Sequence, residues 1–79
     1  MTTTVLSDGP FKIEWRGGKT FNVRALGAKV NVFSSGFELP TSELTEEWAR
    51  RTAHEWWAEG GKEVTQKIVR ESSWSDVDY

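Results

Sequence analysis

Three groups of residues in this 79-residue chain have types and spacings that could support chemistry. The first, Gly18-Lys19-Thr20, matches the end of a phosphate-binding glycine loop, but that loop needs another glycine where Ile13 stands and a helix after it. The second, His54-Glu55, begins a zinc-binding helix pattern whose second histidine would fall at Ala58. We therefore interpret the first group as a hairpin turn and His54, the only histidine, as a solvated side chain.

The third group consists of glutamates that recur at helical spacing in the second half of the chain. Paired carboxylates hydrolyse glycosides only where a cleft holds both, and a domain of this size rarely encloses one. We interpret them as a solvated helix face. The absence of cysteine excludes thiol chemistry, disulfide scaffolds and cysteine-ligated metals. We predict no enzyme activity, no catalytic residue, no cofactor and no metal site. The glutamates are Glu43, Glu46, Glu47, Glu55, Glu59 and Glu63.

Length and composition predict one globular domain over 1–79. Charged residues make up 28% and hydrophobic residues 37%, which is too apolar for a disordered chain. Five tryptophans can each bury about 150–250 Å², so a few of them would supply much of a small core. The sequence contains no apolar run of the ~20 residues that a membrane span needs and no signal-peptide pattern at its start. We expect a cytoplasmic protein that does not bind membranes.

The net charge of −2 divides unevenly along the chain. Residues 1–40 contain five basic and three acidic residues, whereas residues 41–79 contain five basic and nine acidic ones. The boundary falls at Pro40, where the hydrophobic pattern also changes. The chain therefore combines a basic first half with an acidic second half.

The first half alternates apolar and polar residues with the period of half-buried strands. This pattern predicts a three-stranded antiparallel meander over 11–15, 20–26 and 29–33. A two-residue loop at Gly27-Ala28 would set Val23 opposite Val32, on the same face.

The sequence predicts a connection longer than two residues in the first hairpin. A two-residue turn at Gly17-Gly18 would set Trp15 against a polar residue, whereas a longer loop or a bulge pairs Trp15 with Phe21 and Ile13 with Val23. We therefore predict a three- or five-residue loop or a bulge. The expected dry face comprises Phe11, Ile13, Trp15, Phe21, Val23, Ala25, Val30 and Val32.

The second half predicts two helices. The first runs over 42–59, with Thr41 or Ser42 as its cap and Gly60-Gly61 as its stop. The segment 62–72 fits a strand or a helix. We predict a short helix, because a helix gathers Val64, Thr65, Ile68 and Val69 in one apolar stripe and also makes Glu63 and Lys67 a favourable pair four residues apart. If the two helices ran straight on, their apolar stripes would face nearly opposite ways.

Either the chain reverses at the glycines or a partner covers the second stripe. The predicted fold class is α+β, with the meander packed on the first helix. Residues 1–9 and an acidic tail over 73–79 are expected to be flexible.

The leading functional hypothesis is a small non-enzymatic protein-binding or regulatory module, of the kind that small phage genes encode. It depends on aromatic and apolar residues beyond those that the predicted core faces use. The partner would be another protein or a second copy in an oligomer. The predicted contact residues are Trp57, Val64, Ile68, Val69 and Trp74.

The alternative is a nucleic-acid-binding domain that uses the basic outer face of the sheet. Lysine and arginine neutralise phosphates there, and a planar side chain can stack on a base. A three-stranded sheet backed by a helix resembles, in architecture and not in motif, the sheet-reading DNA-binding domains of phage integrases. The residues of this hypothesis are Lys12, Arg16, Lys19, Asn22, Arg24, Lys29, Asn31 and Phe33.

Overall fold

The fold is α+β, with one antiparallel sheet covered on one side by a long, interrupted helix. The computed structural model describes the backbone of residues 2–77 and the side chains of residues 2–71. The predicted class is confirmed, but the sheet has four strands rather than three. In sheet order they are β1 (Thr3–Asp8), β2 (Phe11–Trp15), β3 (Thr20–Ala25) and β4 (Ala28–Ser34).

The additional strand is β1, in the segment that we expected to be flexible. Its register with β2 shifts between Thr4 and Leu6, and this β-bulge holds Val5. Val5 and Leu6 are adjacent, yet both are buried. Alternation is the signal that predicts a strand, and a bulge that directs two neighbours to the same side removes that signal.

The β2–β3 hairpin confirms the predicted longer connection. Trp15 pairs with Phe21 and Ile13 pairs with Val23, as the matching of apolar faces required. All four side chains are buried. This hairpin gives the sheet its dry inner face, and we call the opposite side the outer face.

The β3–β4 hairpin corrects the predicted register. The turn lies at Leu26-Gly27, one residue earlier than predicted, and Ala25 pairs with Ala28. Both turn residues have positive φ, 55° at Leu26 and 86° at Gly27, as a type I′ turn requires.

A second β-bulge follows in β4, because Arg24 pairs with Lys29 while Val23 pairs with Asn31. The bulged residue is Val30. Beyond it Val32 lies opposite Asn22 on the outer face, and Phe33 lies opposite Phe21 on the inner face. The sequence prediction placed Val32 on the inner face and Phe33 on the outer face, because it assumed that apolar and polar residues alternate without a break. The bulge reverses both positions.

The helical half starts later than predicted. A short 3₁₀ turn occupies Thr41–Glu43, and α1 runs over Glu46–Trp56. Thr45 caps it, since its side chain accepts a hydrogen bond from the Trp48 backbone N–H at 3.2 Å. The predicted caps Thr41 and Ser42 belong to the 3₁₀ turn instead.

The second helix, α2 (Lys62–Val77), follows α1 across a kink at Trp57–Gly61, where the Lys62 backbone N–H donates to the Trp57 carbonyl oxygen five residues earlier; we call this kinked segment the π turn. The prediction that 62–72 is helical rather than a strand is confirmed, but α2 is longer than predicted and its backbone runs through 73–77, part of the segment expected to be a flexible tail. The two helices form one long kinked run, and the chain does not reverse at the glycines. Only Gly60 leaves helical geometry, with φ 131° and ψ −8°. Inward-facing positions recur every fourth residue: Ala49, Ala53, Trp57, Gly61, Thr65 and Val69.

The two helices contact different strands of the sheet. In a regular α-helix each step of four residues turns the inward direction by about 40°. The chain kinks at Gly60, and on either side of the kink α1 contacts β1 and α2 contacts β4. The covered side of α2 comprises Thr65 and Val69, whereas Val64 is 51% exposed and Ile68 is half-buried, so the sheet covers the second apolar stripe only in part.

Between sheet and helix lies a continuous chain of seven aromatic rings. Phe33 and Trp56 stack at 4.0 Å between ring centroids, and Phe33 also stacks on Phe21 at 4.8 Å. The other neighbouring rings are 5.5–6.5 Å apart. In order, the chain is Trp15, Trp48, Phe21, Phe33, Trp56, Trp57 and Phe11.

Candidate functional site

The outer face of the sheet is open, because the helices described here contact the inner face. Cross-strand pairing aligns Lys12 with Arg24 and Arg24 with Lys29, on three adjacent strands. We call these three residues the basic row. Neighbouring strands are about 4.8 Å apart, so the row spans roughly 10 Å. Ser7 of β1 extends it as the partner of Lys12.

The row of residues next to it is mostly neutral. It comprises Thr4, Glu14, Asn22 and Val32, one from each strand. Glu14 forms an ion pair with Arg24, and its carboxylate accepts a hydrogen bond from the arginine Nε. The outer face therefore carries three basic side chains against one acidic one. Lys12 and Lys29 are exposed and have no ion-pair partner among the described residues.

The two ends of this face differ. At one end the Leu26-Gly27 turn borders a shallow depression that also involves Lys12 and Arg24. At the other end Arg16 and Lys19 flank the β2–β3 loop, which borders a second open depression.

Lys19 is engaged within the fold. Its Nζ donates a hydrogen bond to the Phe37 carbonyl oxygen at 3.1 Å and lies 5.6 Å from the centre of the Phe37 ring. Arg16 is exposed and makes one long contact, 3.4 Å from its Nε to the Thr2 hydroxyl. Of these two cations, Arg16 is the more available to a ligand.

The sequence-predicted nucleic-acid set is thus brought together in part. Lys12, Asn22, Arg24 and Lys29 share the outer face, and Arg16 and Lys19 lie at its loop end. Asn31 and Phe33 do not belong to it. The bulge at Val30 pairs Asn31 with Val23 on the inner face, and it commits Phe33 to the aromatic core.

The predicted protein-contact set is divided by burial. The Trp57 indole is buried in the core, so the expectation of spare surface there is corrected. Val69 is half-buried against the core, whereas Val64 is 51% exposed and Ile68 is half-buried. The side chain of Trp74 lies outside the described residues.

Trp57 is held by a carboxylate from the far end of β1. Its Nε1 donates a hydrogen bond to Asp8 Oδ2 at 2.9 Å, and Lys62 Nζ lies 3.1 Å from the same oxygen. The hydrogen bond from Trp57 and the interaction with Lys62 hold the pKa of Asp8 below its ordinary value. This cluster fixes the π turn to the sheet.

The groups that resembled catalytic motifs lie apart from any such cluster. His54 is exposed on α1, and the six glutamates at helical spacing are exposed as well. Among the side chains of residues 2–71, no group of three metal-ligating residues comes together. In the same part of the chain, no helix is both long and apolar enough to cross a membrane.

Sequence reasoning missed two features of the structure, the position of Leu26 and the role of Asp8. The sequence places Leu26 in a strand, because leucine rarely adopts the positive φ that the first position of this turn requires. The role of Asp8 had no local signal, because its partner Trp57 is 49 residues away.

No protein-family model, curated protein or solved structure matches this chain.

Proposed function

We propose that this chain is a small nucleic-acid-binding domain whose outer sheet face holds the phosphate backbone. The observation that carries the proposal is the basic row, three cations aligned across three strands on an open face. Lysine and arginine contribute affinity by neutralising phosphates and releasing condensed counterions.

The distribution of charge supports this assignment. The chain as a whole is acidic, but the helical layer carries the excess, with seven acidic and five basic residues between 41 and 71. The outer face carries more basic than acidic side chains. A polyanion would therefore meet the sheet side in preference to the helix side.

The ion pair of Arg24 with Glu14 assigns different roles to the three cations. Arg24 is oriented by Glu14 and is partly neutralised, whereas Lys12 and Lys29 are exposed and unpaired within the described residues. Lys12 and Lys29 are therefore the residues on which binding would depend most.

The test is fluorescence anisotropy with a labelled 20-base-pair duplex, titrated at several salt concentrations. The double variant Lys12→Ala/Lys29→Ala should bind at least tenfold more weakly, and the slope of log affinity against log salt should fall by about 2. The matched control Arg51→Ala/Lys67→Ala removes the same charge from exposed positions on the helices and should bind like the wild type. Equal weakening by both pairs, or no binding by the wild type at low salt, would contradict the proposal.

A second candidate function is protein binding through α2. Val64 is 51% exposed and Ile68, one turn later, is half-buried, so an apolar strip remains at the helix surface. Self-association through this strip should appear in sedimentation velocity as a concentration-dependent increase in mass. The variant Val64→Glu/Ile68→Glu should abolish that increase. If the protein stays monomeric at all concentrations, self-association through this strip is contradicted.

A further inference from the structure

The tip of the β3–β4 hairpin carries a leucine that the fold does not explain. Leu26 is 85% exposed and has φ 55°, the left-handed region that residues other than glycine, asparagine and aspartate rarely adopt. A type I′ turn favours asparagine followed by glycine at these two positions. Leucine at the first position therefore has neither a conformational nor a packing advantage.

Basic side chains outnumber acidic ones around Leu26. Lys12, Arg24 and Glu14 border the same depression, and Glu14 pairs with Arg24, so Lys12 is the unpaired cation there. Arg24 and Lys29 face each other across the two strands, close behind the turn. An exposed apolar side chain thus projects from the turn, beyond the basic row in the direction of the strands.

We propose that Leu26 is a base-contacting residue. It rests on the proposed function: while the basic row holds phosphates, the tip of the hairpin enters a groove of a nucleic-acid duplex and Leu26 packs against the bases. The major groove admits a two-stranded ribbon, and apolar side chains contact base methyl groups or base steps inside grooves. The cations behind the tip would then lie beside the phosphates that border the groove.

This arrangement assigns different kinds of energy to the two parts of the surface. Contacts of the basic row are electrostatic and depend on salt, whereas the contact of Leu26 is apolar and does not release counterions. A variant at Leu26 should therefore lower the affinity without changing the salt slope. This combination distinguishes a base contact from a general weakening of the charged face.

The experiment compares Leu26→Asn, Leu26→Met and wild type on the same duplex over the same salt series. Asparagine tolerates positive φ, so Leu26→Asn should melt at or above the wild-type temperature. It should nevertheless bind about tenfold more weakly with an unchanged salt slope. Leu26→Met keeps an apolar side chain and should bind nearly as tightly as the wild type. Val64→Asn removes another exposed apolar residue, 51% exposed, from α2 and serves as the control.

Wild-type affinity in Leu26→Asn, with weakened binding in Lys12→Ala/Lys29→Ala, would overturn this inference and leave the proposed function standing. Equal weakening by asparagine and methionine would overturn it too, since the apolar character would then not matter. Absence of binding by the wild type would overturn both proposals.

Discussion

At the scale of single residues, two buried or partly buried polar groups show how the second half is fixed to the sheet. Asp8 accepts from Trp57 and pairs with Lys62, whereas Thr65 is completely buried. Among the residues with described side chains, the Thr65 hydroxyl oxygen has no hydrogen-bond partner. The Asp8 carboxylate therefore stabilises the packing of the helices on the sheet, whereas the buried Thr65 hydroxyl opposes it.

Replacing Thr65 with valine should stabilise the protein. Valine has nearly the same shape and removes a buried hydroxyl that has lost its hydration without gaining a partner, so we expect a gain of about 1 kcal/mol in the free energy of unfolding. Urea denaturation measures it. Thr65→Ser is the control, because it keeps the hydroxyl, deletes a methyl group and should cost about 1 kcal/mol. A less stable Thr65→Val would show that the hydroxyl is bonded.

Asp8 predicts an acid-sensitive contribution to stability. Its pKa is lowered in the folded state by the hydrogen bond from Trp57 and by Lys62, so the unfolded chain binds the proton at a higher pH. The contribution is therefore present at neutral pH and is lost as the pH falls below about 4.

In Asp8→Asn the amide oxygen can still accept from Trp57, but the charge that Lys62 meets is gone. Melting temperatures measured from pH 7 to pH 2 should show the variant less stable at neutral pH and the two proteins converging in acid. Glu38→Gln, at an exposed loop carboxylate, should run parallel to the wild type. A constant difference across the whole range would contradict the assignment.

At the scale of elements, the glycine pair after α1 determines how the helices meet the sheet. Gly60 adopts the one conformation in the run that is not helical, and Gly61 is buried beneath the Trp56 ring. Trp56 in turn stacks on Phe33 at 4.0 Å. The position of the π turn is thereby coupled to the aromatic core.

The variant Gly61→Ala should be destabilised by about 1–3 kcal/mol, because its Cβ would overlap the Trp56 ring and displace it from Phe33. Gly18→Ala is the matched control. Its φ is ordinary and no atom lies within 4 Å of the added Cβ, so its stability should change by less than about 0.5 kcal/mol. Thermal unfolding followed by tryptophan fluorescence compares them. Equal stability of the two variants would show that Trp56 moves aside without cost.

The elements also show what the sequence could and could not predict. The β2–β3 register could be predicted by matching apolar faces, because Phe21 is the one apolar residue at the start of β3 with which Trp15 can pair. The bulges at Val5 and Val30 hid β1 and reversed the predicted faces of the end of β4, because each breaks the alternation on which the prediction depended. For the same reason, only part of the candidate site was predicted correctly. Lys29 lies before the Val30 bulge in β4 and stays on the outer face, whereas Asn31 and Phe33 lie after the bulge and pair on the inner face.

At the scale of the whole molecule, the fold separates the two charge populations that the sequence arranges one after the other. The basic first half forms the sheet, whose outer face is open, and the acidic second half forms the layer on its inner side. The sequence indicates Trp57 and Trp74 as tryptophans beyond the needs of the core, but Trp57 joins Trp15, Trp48 and Trp56 in one chain of rings inside it. The aromatic residues thus form much of the core. The proposed function depends instead on the open outer face of the sheet.

The most direct test is an amide NMR titration of the full chain with an unlabelled duplex at low and moderate salt. We expect shifts concentrated at Lys12, Arg24 and Lys29 and at the Leu26-Gly27 turn, with little change along α1, and recovery of the free spectrum as salt is added. An unchanged spectrum at low salt, or shifts confined to α1 and α2, would contradict it.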